Sequence, residues 1–201
     1  MNSKEEKRIK ILEAAGECFR QFGYKKTTLD DIGRLVGLNK ASLYYYFKNK
    51  EEIFINLKTS QYNELIIKLN EIMNEQQPCK QKILQYFKQR HEWWYQESSI
   101  VPQITKEDIH TFISIGDVEV ARIREQEKAN FARAIAVCRT QGEFKPCNEQ
   151  DITKYIFALV DGIMTTYRQV DTMRPVTDEE SENILKDTQS ALKIFIDGLS
   201  N

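Results

Sequence analysis

Helix breakers are scarce in this chain. Four prolines and eight glycines among 201 residues leave long stretches of Glu, Lys, Gln, Ala, Leu and Ile, residues that lose little freedom in a helix. Alternation of apolar and polar positions, the mark of a half-buried strand, is rare. Hydrophobic residues make up 41% and charged residues 29%, the balance of an ordered globular chain rather than a disordered one. The expectation is an all-α protein.

Several classes drop out early. No apolar run reaches the roughly 18 to 20 residues that a membrane helix needs. The stretch Met1–Lys10 is charged and lacks the apolar core of a secretory signal, so the expected location is cytoplasmic. Cys18, Cys79, Cys138 and Cys147 form no C-x-x-C pair, and His91 and His110 stand at no metal-ligand spacing from them. Four reduced thiols and no metal are expected. Nucleophile-elbow, phosphate-loop and zinc-protease motifs are absent, so neither an enzyme nor a cofactor is expected.

Charge is uneven along the chain. Residues 1–58 hold twelve Lys/Arg against eight Asp/Glu, and residues 59–201 hold seventeen against twenty-two. A basic first part suits contact with a polyanion.

The helix punctuation is most explicit near the start. A helix from about Lys4 to Phe22 puts Leu12, Ala15, Phe19 and Phe22 on one face, and Gly23 follows as a left-handed stop. Thr28 reads as the cap of a second helix, with Asp31 at the third position and Leu29, Ile32 and Val36 inward. Gly37 ends it. Asn39 caps a third helix, Lys40 to Phe47, and Asn49 a fourth, Lys50 to about Glu75. This is a helix-turn-helix pattern. Further on, helices are expected from Cys79 to Gln96, from Glu107 to Ile115, from an Asp117 cap to Gln141, from Glu149 to Asp171 and from Thr177 to Leu199.

At about 100° per residue, Leu43 and Phe47 of the third helix share one side. Ala41 and Tyr45 then lie opposite, with Tyr44 and Tyr46 on the flanks. Three successive tyrosines on a short helix cannot all be buried. A duplex gives them a use: Ala41 lets the helix approach base edges, while hydroxyls and helix-start amides meet phosphates. Candidate DNA-binding residues are Thr27, Thr28, Asn39, Lys40, Ala41, Ser42, Tyr44, Tyr45, Tyr46, Lys48 and Lys50.

The run from Thr27 to Ile53, TTLDDIGRLVGLNKASLYYYFKNKEEI, preceded by Phe22-Gly23-Tyr24, resembles the DNA-binding signature of the TetR family of bacterial repressors over about the first 55 residues. Gly33 stands where that family usually has Ala and is expected to loosen the second helix. Tyr46 stands where His is common and is expected to alter a phosphate contact. The resemblance implies an N-terminal helix-turn-helix domain, residues 1–50, and a helical effector-binding and dimerisation domain, residues 51–201. It also implies a homodimer whose last two helices build a four-helix interface, and a palindromic operator released when a small effector binds. The wide apolar surfaces of those helices agree, and candidate interface residues are Tyr155, Leu159, Gly162, Ile163, Leu192, Phe195, Ile196 and Leu199. Tyr62, Tyr86, Phe87, His91, Trp94, Phe112, Phe131 and Tyr167 are candidates to line a pocket for a hydrophobic or aromatic effector. The alternative is a DNA-binding protein without such an effector, acting as an activator or under control of a partner protein.

Overall fold

The computed structural model describes residues 3–98, 106–167 and 176–200, with side chains for 4–97, 119–167 and 176–200. Among the described residues are eight α-helices: α1 Ser3–Phe22, α2 Leu29–Val36, α3 Lys40–Tyr44, α4 Lys50–Asn74, α5 Cys79–Ser98, α6 Lys106–Thr140, α7 Glu149–Tyr167 and α8 Asp178–Leu199. They fall into two compact units, Met1–Asn63 with Ile100–Ala121, and Glu64–Ser99 with Arg122–Asn201. The division lies inside α4, whereas the sequence reading put it where α4 begins.

The N-terminal unit closes around one core. Ile11, Ala15, Cys18 and Phe19 of α1 meet Ile32 of α2, Leu43 of α3, Phe47, and Ile53, Phe54 and Leu57 of α4. Phe22 was expected on this face, yet it is exposed. Gly23, at φ 79°, turns the chain there, and Tyr24 fills the core instead, its ring 5.5 Å from Phe19 and 5.0 Å from Phe54.

Local signals set α2 and α3. The Thr28 side chain accepts from the Asp31 amide, and the Asp31 carboxylate accepts from the Thr28 amide at 2.9 Å, a reciprocal cap. Those bonds from Thr28 hold the Asp31 carboxyl below its ordinary range. Gly37 closes α2 in the left-handed conformation at φ 72°. Asn39 then accepts from the Ser42 amide at 2.8 Å and starts α3. The third helix is shorter than expected. After Tyr44 the turn tightens, with Tyr45 bonded back to Ser42 and Tyr46 to Leu43, each three residues earlier.

The second unit departs further from the sequence reading. A break at Gly116-Asp117 was expected, but α6 runs unbroken from Lys106 to Thr140. A helical glycine costs only about 1 kcal/mol, too little to stop a long helix. The Arg168–Asp171 end expected for α7 lies outside the described residues. Four reduced thiols were expected, but Cys79 and Cys138 form a disulfide, joining the start of α5 to the end of α6. Their 59-residue separation hides this pairing from any reading of local spacing. Cys18 and Cys147 are free.

Around that bridge the ends of three helices are fastened. The Glu143 carboxylate accepts from the Cys79 amide at 2.7 Å, Lys80 pairs with Asp197, and the Lys145 amide donates to the Leu199 carbonyl at 2.8 Å. Phe144 and Ser200 complete the link as a single antiparallel bridge. Deeper in this unit Tyr86, Phe87, Phe131 and Phe157 pack ring against ring, with centroids 4.9 to 5.6 Å apart. Beside them the buried Glu127 carboxylate accepts from the Tyr86 hydroxyl and from Arg90, both at 3.1 Å. Thus a charge that would be costly alone is paired.

Candidate nucleic-acid interface

The orientation of α3 follows from which side chains its neighbours admit. Leu43 and Phe47 are buried at 1% and 2% exposure, while Tyr44 and Tyr45 stand out at 50% and 68%. Lys40 and Ala41 are exposed and Ser42 half-buried. A small side chain, two protruding aromatic hydroxyls and a lysine therefore share the outward surface. Tyr46 is half-buried against the core, its ring 5.0 Å from that of Tyr45. Thr28, Asn39 and Lys48 lie exposed at the helix ends around α3.

Two candidates point elsewhere. Thr27 is 1% exposed, and its hydroxyl donates to the carbonyls of Gly23 at 2.8 Å and Cys18 at 3.1 Å. The Lys50 ammonium donates to the carbonyls of Tyr24 at 2.9 Å and Thr27 at 3.0 Å, above the Tyr24 ring. Both side chains brace the approach to α2 rather than face outward. Their donors are satisfied by carbonyls of α1 and of the loop that follows it.

Gly33 gains a packing role. A Cβ built there would lie 2.4 Å from the Leu38 carbonyl oxygen. The missing side chain is what lets the turn after α2 fold back closely, so the expected loosening of α2 is replaced by a close approach.

Sequence reasoning missed Arg8 altogether. Its guanidinium donates to the Tyr46 carbonyl at 2.6 Å and to Asn56 Oδ1 at 3.3 Å, and lies 4.2 Å from the centre of the Phe47 ring. One turn earlier, the Lys4 ammonium sits 4.7 Å above the Tyr45 ring. A signal was available: Arg8 is three residues before Ile11 and seven before Ala15, a charged residue placed on the apolar stripe of α1.

The aromatic pocket is not assembled as expected. Tyr86, Phe87 and Phe131 are nearly fully buried and touch each other, so they fill space instead of lining it. Tyr62 is half-buried in the N-terminal unit. His91 and Trp94 are neighbours on α5, and His91 Nε2 shares a 2.9 Å hydrogen bond with Ser181. Burial keeps the His91 pKa below its ordinary 6.5. The Tyr167 hydroxyl donates to Asp187, which pushes the phenol pKa up. Phe112 lies outside the described side chains. An open groove of about 890 Å³ does run between α6 and α7, bordered by Gln126, Ala129, Arg133, Asp151, Lys154 and Phe157. None of the seven described pocket candidates lines it.

Of the expected interface residues, Leu192 and Ile196 are fully buried in their own unit. They face the core because Ile184, Thr188, Leu192 and Ile196 repeat every four residues along α8. Tyr155 and Gly162 are exposed, and Leu159, Ile163, Phe195 and Leu199 half-buried. Ile194, which the sequence reading passed over, is 77% exposed.

Residues 11–57 match the family described as bacterial regulatory proteins, tetR family. The likeness to the TetR family thus lies in the N-terminal unit. The matched segment holds every core residue of the N-terminal unit named above and the whole of α2 and α3. A stretch of 73 residues is 41% identical to YhgD of Bacillus subtilis, an HTH-type transcriptional regulator, covering 36% of this chain and 38% of that one. A 45-residue stretch is 53% identical to IcaR of Staphylococcus epidermidis, a negative transcriptional regulator of a biofilm operon, covering 22% and 24%. The chain thus spans less than half the length of these curated relatives. The fold extends further than the sequence likeness. A solved transcriptional regulator from Cytophaga hutchinsonii superposes with a TM-score of 0.82 at 22% identity, covering 95% of this chain and 97% of that one. Among the described residues no helix is long and apolar enough to cross a membrane.

Proposed function

We propose that this TetR-type chain is a cytoplasmic, non-enzymatic transcriptional regulator that binds a palindromic operator as a homodimer and represses. One observation supports this above all: α3 and the turn that follows it bury Leu43 and Phe47 and turn Ala41, Tyr44 and Tyr45 outward. Ala41 is the point of closest approach to base edges, and its methyl suits a thymine methyl. Lys40, Ser42, Lys48, the tyrosine hydroxyls and the uncapped amides at the starts of α2 and α3 surround it as phosphate contacts. Thr27 and Lys50 act behind that surface as braces. The name of the IcaR relative, a negative regulator, favours repression.

The homodimer reading rests on the face formed by Tyr155, Leu159, Ile163, Ile194, Phe195 and Leu199, apolar residues left exposed or half-buried on α7 and α8. Gly162 lies on it with nothing within 4 Å of a built Cβ, so another backbone fits close there. A small effector bound in the helical domain, residues 51–201, would then shift the spacing of the two α3 helices and release the operator, provided it prefers one spacing.

A second reading dispenses with the small-molecule effector. The ring-to-ring packing of Tyr86, Phe87 and Phe131 favours it, since the residues expected to receive a hydrophobic ligand already satisfy one another.

The test is selection of duplexes from a random pool by the purified protein. The expected product is a pair of inverted half-sites with centres about one helical turn, or a multiple, apart. Ala41→Glu should abolish that enrichment, because it sets a carboxylate against base edges and phosphates. No enrichment, or enrichment that survives Ala41→Glu, overturns the reading.

A further inference from the structure

The third helix has five residues, too few to hold its own shape in water. Its start is secured by the Asn39 cap. Its exit is a tightened turn whose carbonyls have left the helical ladder. Here α1 supplies what α3 lacks. The Arg8 guanidinium donates one N–H to the Tyr46 carbonyl and another to Asn56 Oδ1, and its central carbon lies 4.2 Å over the centre of the Phe47 ring. Asn56 is held in turn by its own bond to the Glu52 carbonyl at 2.8 Å, and Glu52 accepts from the Lys48 amide at 2.5 Å. A single planar cation therefore joins α1, the exit of α3 and the first turns of α4. Lysine has the charge but not the planar fork that these three contacts use together.

The same face of α1 continues to Lys4, four residues earlier and therefore directly above Arg8. Its ammonium covers the ring of Tyr45, in the exit turn of α3 and more exposed than Tyr44 or Tyr46. An ammonium on that ring is at the outer edge of the surface that Tyr45 presents.

We propose that α1 is part of the DNA-reading apparatus: Arg8 is the positioning residue that fixes the exit of α3, and Lys4 steadies Tyr45 and adds a phosphate contact beside it. This rests on the DNA-binding reading above and goes beyond the helix-turn-helix itself, drawing two residues from outside α2 and α3. The two cations have separable consequences. Arg8 acts through the geometry of α3, so it governs discrimination between sequences. Lys4 acts through charge, so it governs affinity for any duplex.

The experiment uses the full chain and two 30-base-pair duplexes, one recovered by selection with the unmodified protein and one of scrambled sequence. Affinity for each is measured against salt concentration by fluorescence anisotropy, well below each variant's own unfolding midpoint and corrected for its active fraction. Arg8→Lys should lower the ratio of selected to scrambled affinity by about tenfold, the size of one lost base contact, and leave the salt slope unchanged. Lys4→Gln, at an exposed site that tolerates the change, should reduce the salt slope by about one on both duplexes and leave the ratio unchanged. A purely structural Arg8 would lower the unfolding midpoint and the active fraction without moving the ratio, and that result overturns the positioning role. An unchanged salt slope for Lys4→Gln overturns the phosphate contact. If the unmodified protein itself shows no preference and no salt-dependent binding, the DNA-binding reading fails first, and the two failures are told apart.

Discussion

The two units of this chain hold their helices by different balances of near and distant partners. In the N-terminal unit, much of the order comes from short-range devices: reciprocal bonds between Thr28 and Asp31, the Asn39 cap, and left-handed Gly23 and Gly37, to which Arg8 and Lys50 add longer ties. In the second unit it comes from partners far apart in sequence, such as the Cys79–Cys138 bridge, the aromatic cluster, and Glu127 with Arg90. The contrast separates two kinds of sensitivity. A change in the second unit should be felt as stability. A change at the outward face of α3 should be felt as recognition, with the fold untouched.

Mutation can sharpen or break that contrast. Phe131→Ala opens a cavity among four packed rings and should cost about 3 to 5 kcal/mol, read from denaturant unfolding. If the cost is under about 1 kcal/mol, the cluster is not the core it resembles. Cys138→Ala, or a reductant, removes the bridge and should cost about 2 to 4 kcal/mol. The reductant should then leave the midpoint of Cys138→Ala unmoved, and an equal drop in both proteins would show that the bridge is not what the reductant breaks. Gly33→Ala gains helix propensity but pushes a Cβ into the Leu38 carbonyl. A net loss of about 1 to 2 kcal/mol is expected, since a backbone atom must yield. A stabilised variant would show that the turn after α2 shifts freely.

The smallest effect concerns pH. Burial lowers the His91 pKa in the folded chain, so the unfolded chain binds the proton more readily. Stability from this group is complete above pH 6.5, the unfolded value, and falls away as pH drops toward and through the lower folded value. Melting temperature should therefore decline below pH 6.5 more steeply in the unmodified protein than in His91→Gln. Parallel curves would remove His91 from the account.

How much of this was legible in the sequence follows the same division. The caps at Thr28 and Asn39 were readable because a side chain and the amide it accepts from lie three residues apart. The inward turn of Leu43 and Phe47 was readable because helical periodicity fixes it. What stayed hidden depends on neighbours that periodicity cannot supply. Thr27 and Lys50 have the composition of phosphate contacts, and only the position of the carbonyls between α1 and α2 and at Cys18 shows that they point inward. Leu192 and Ile196 looked like interface because an apolar stripe does not say which surface covers it. Tyr86, Phe87 and Phe131 looked like a pocket wall because an aromatic side chain reads alike whether it fills a space or borders one. Gly116 was over-read as a break, a cost too small to outweigh a long helix. The cysteine bridge was invisible because pairing across two helices leaves no local trace.

The link at the end of α8 bears on how the molecule breathes. The final turn of a helix normally opens and closes faster than anything else around it, and its amide protons are the first to be replaced by solvent deuterium. Here the Lys145 amide is tied to the Leu199 carbonyl, and the Ser200 amide to that of Ile196. These protons should exchange at the pace of the whole second unit rather than of a fraying tip. Cutting the Glu143 carboxylate off its amide should return them to the fast regime.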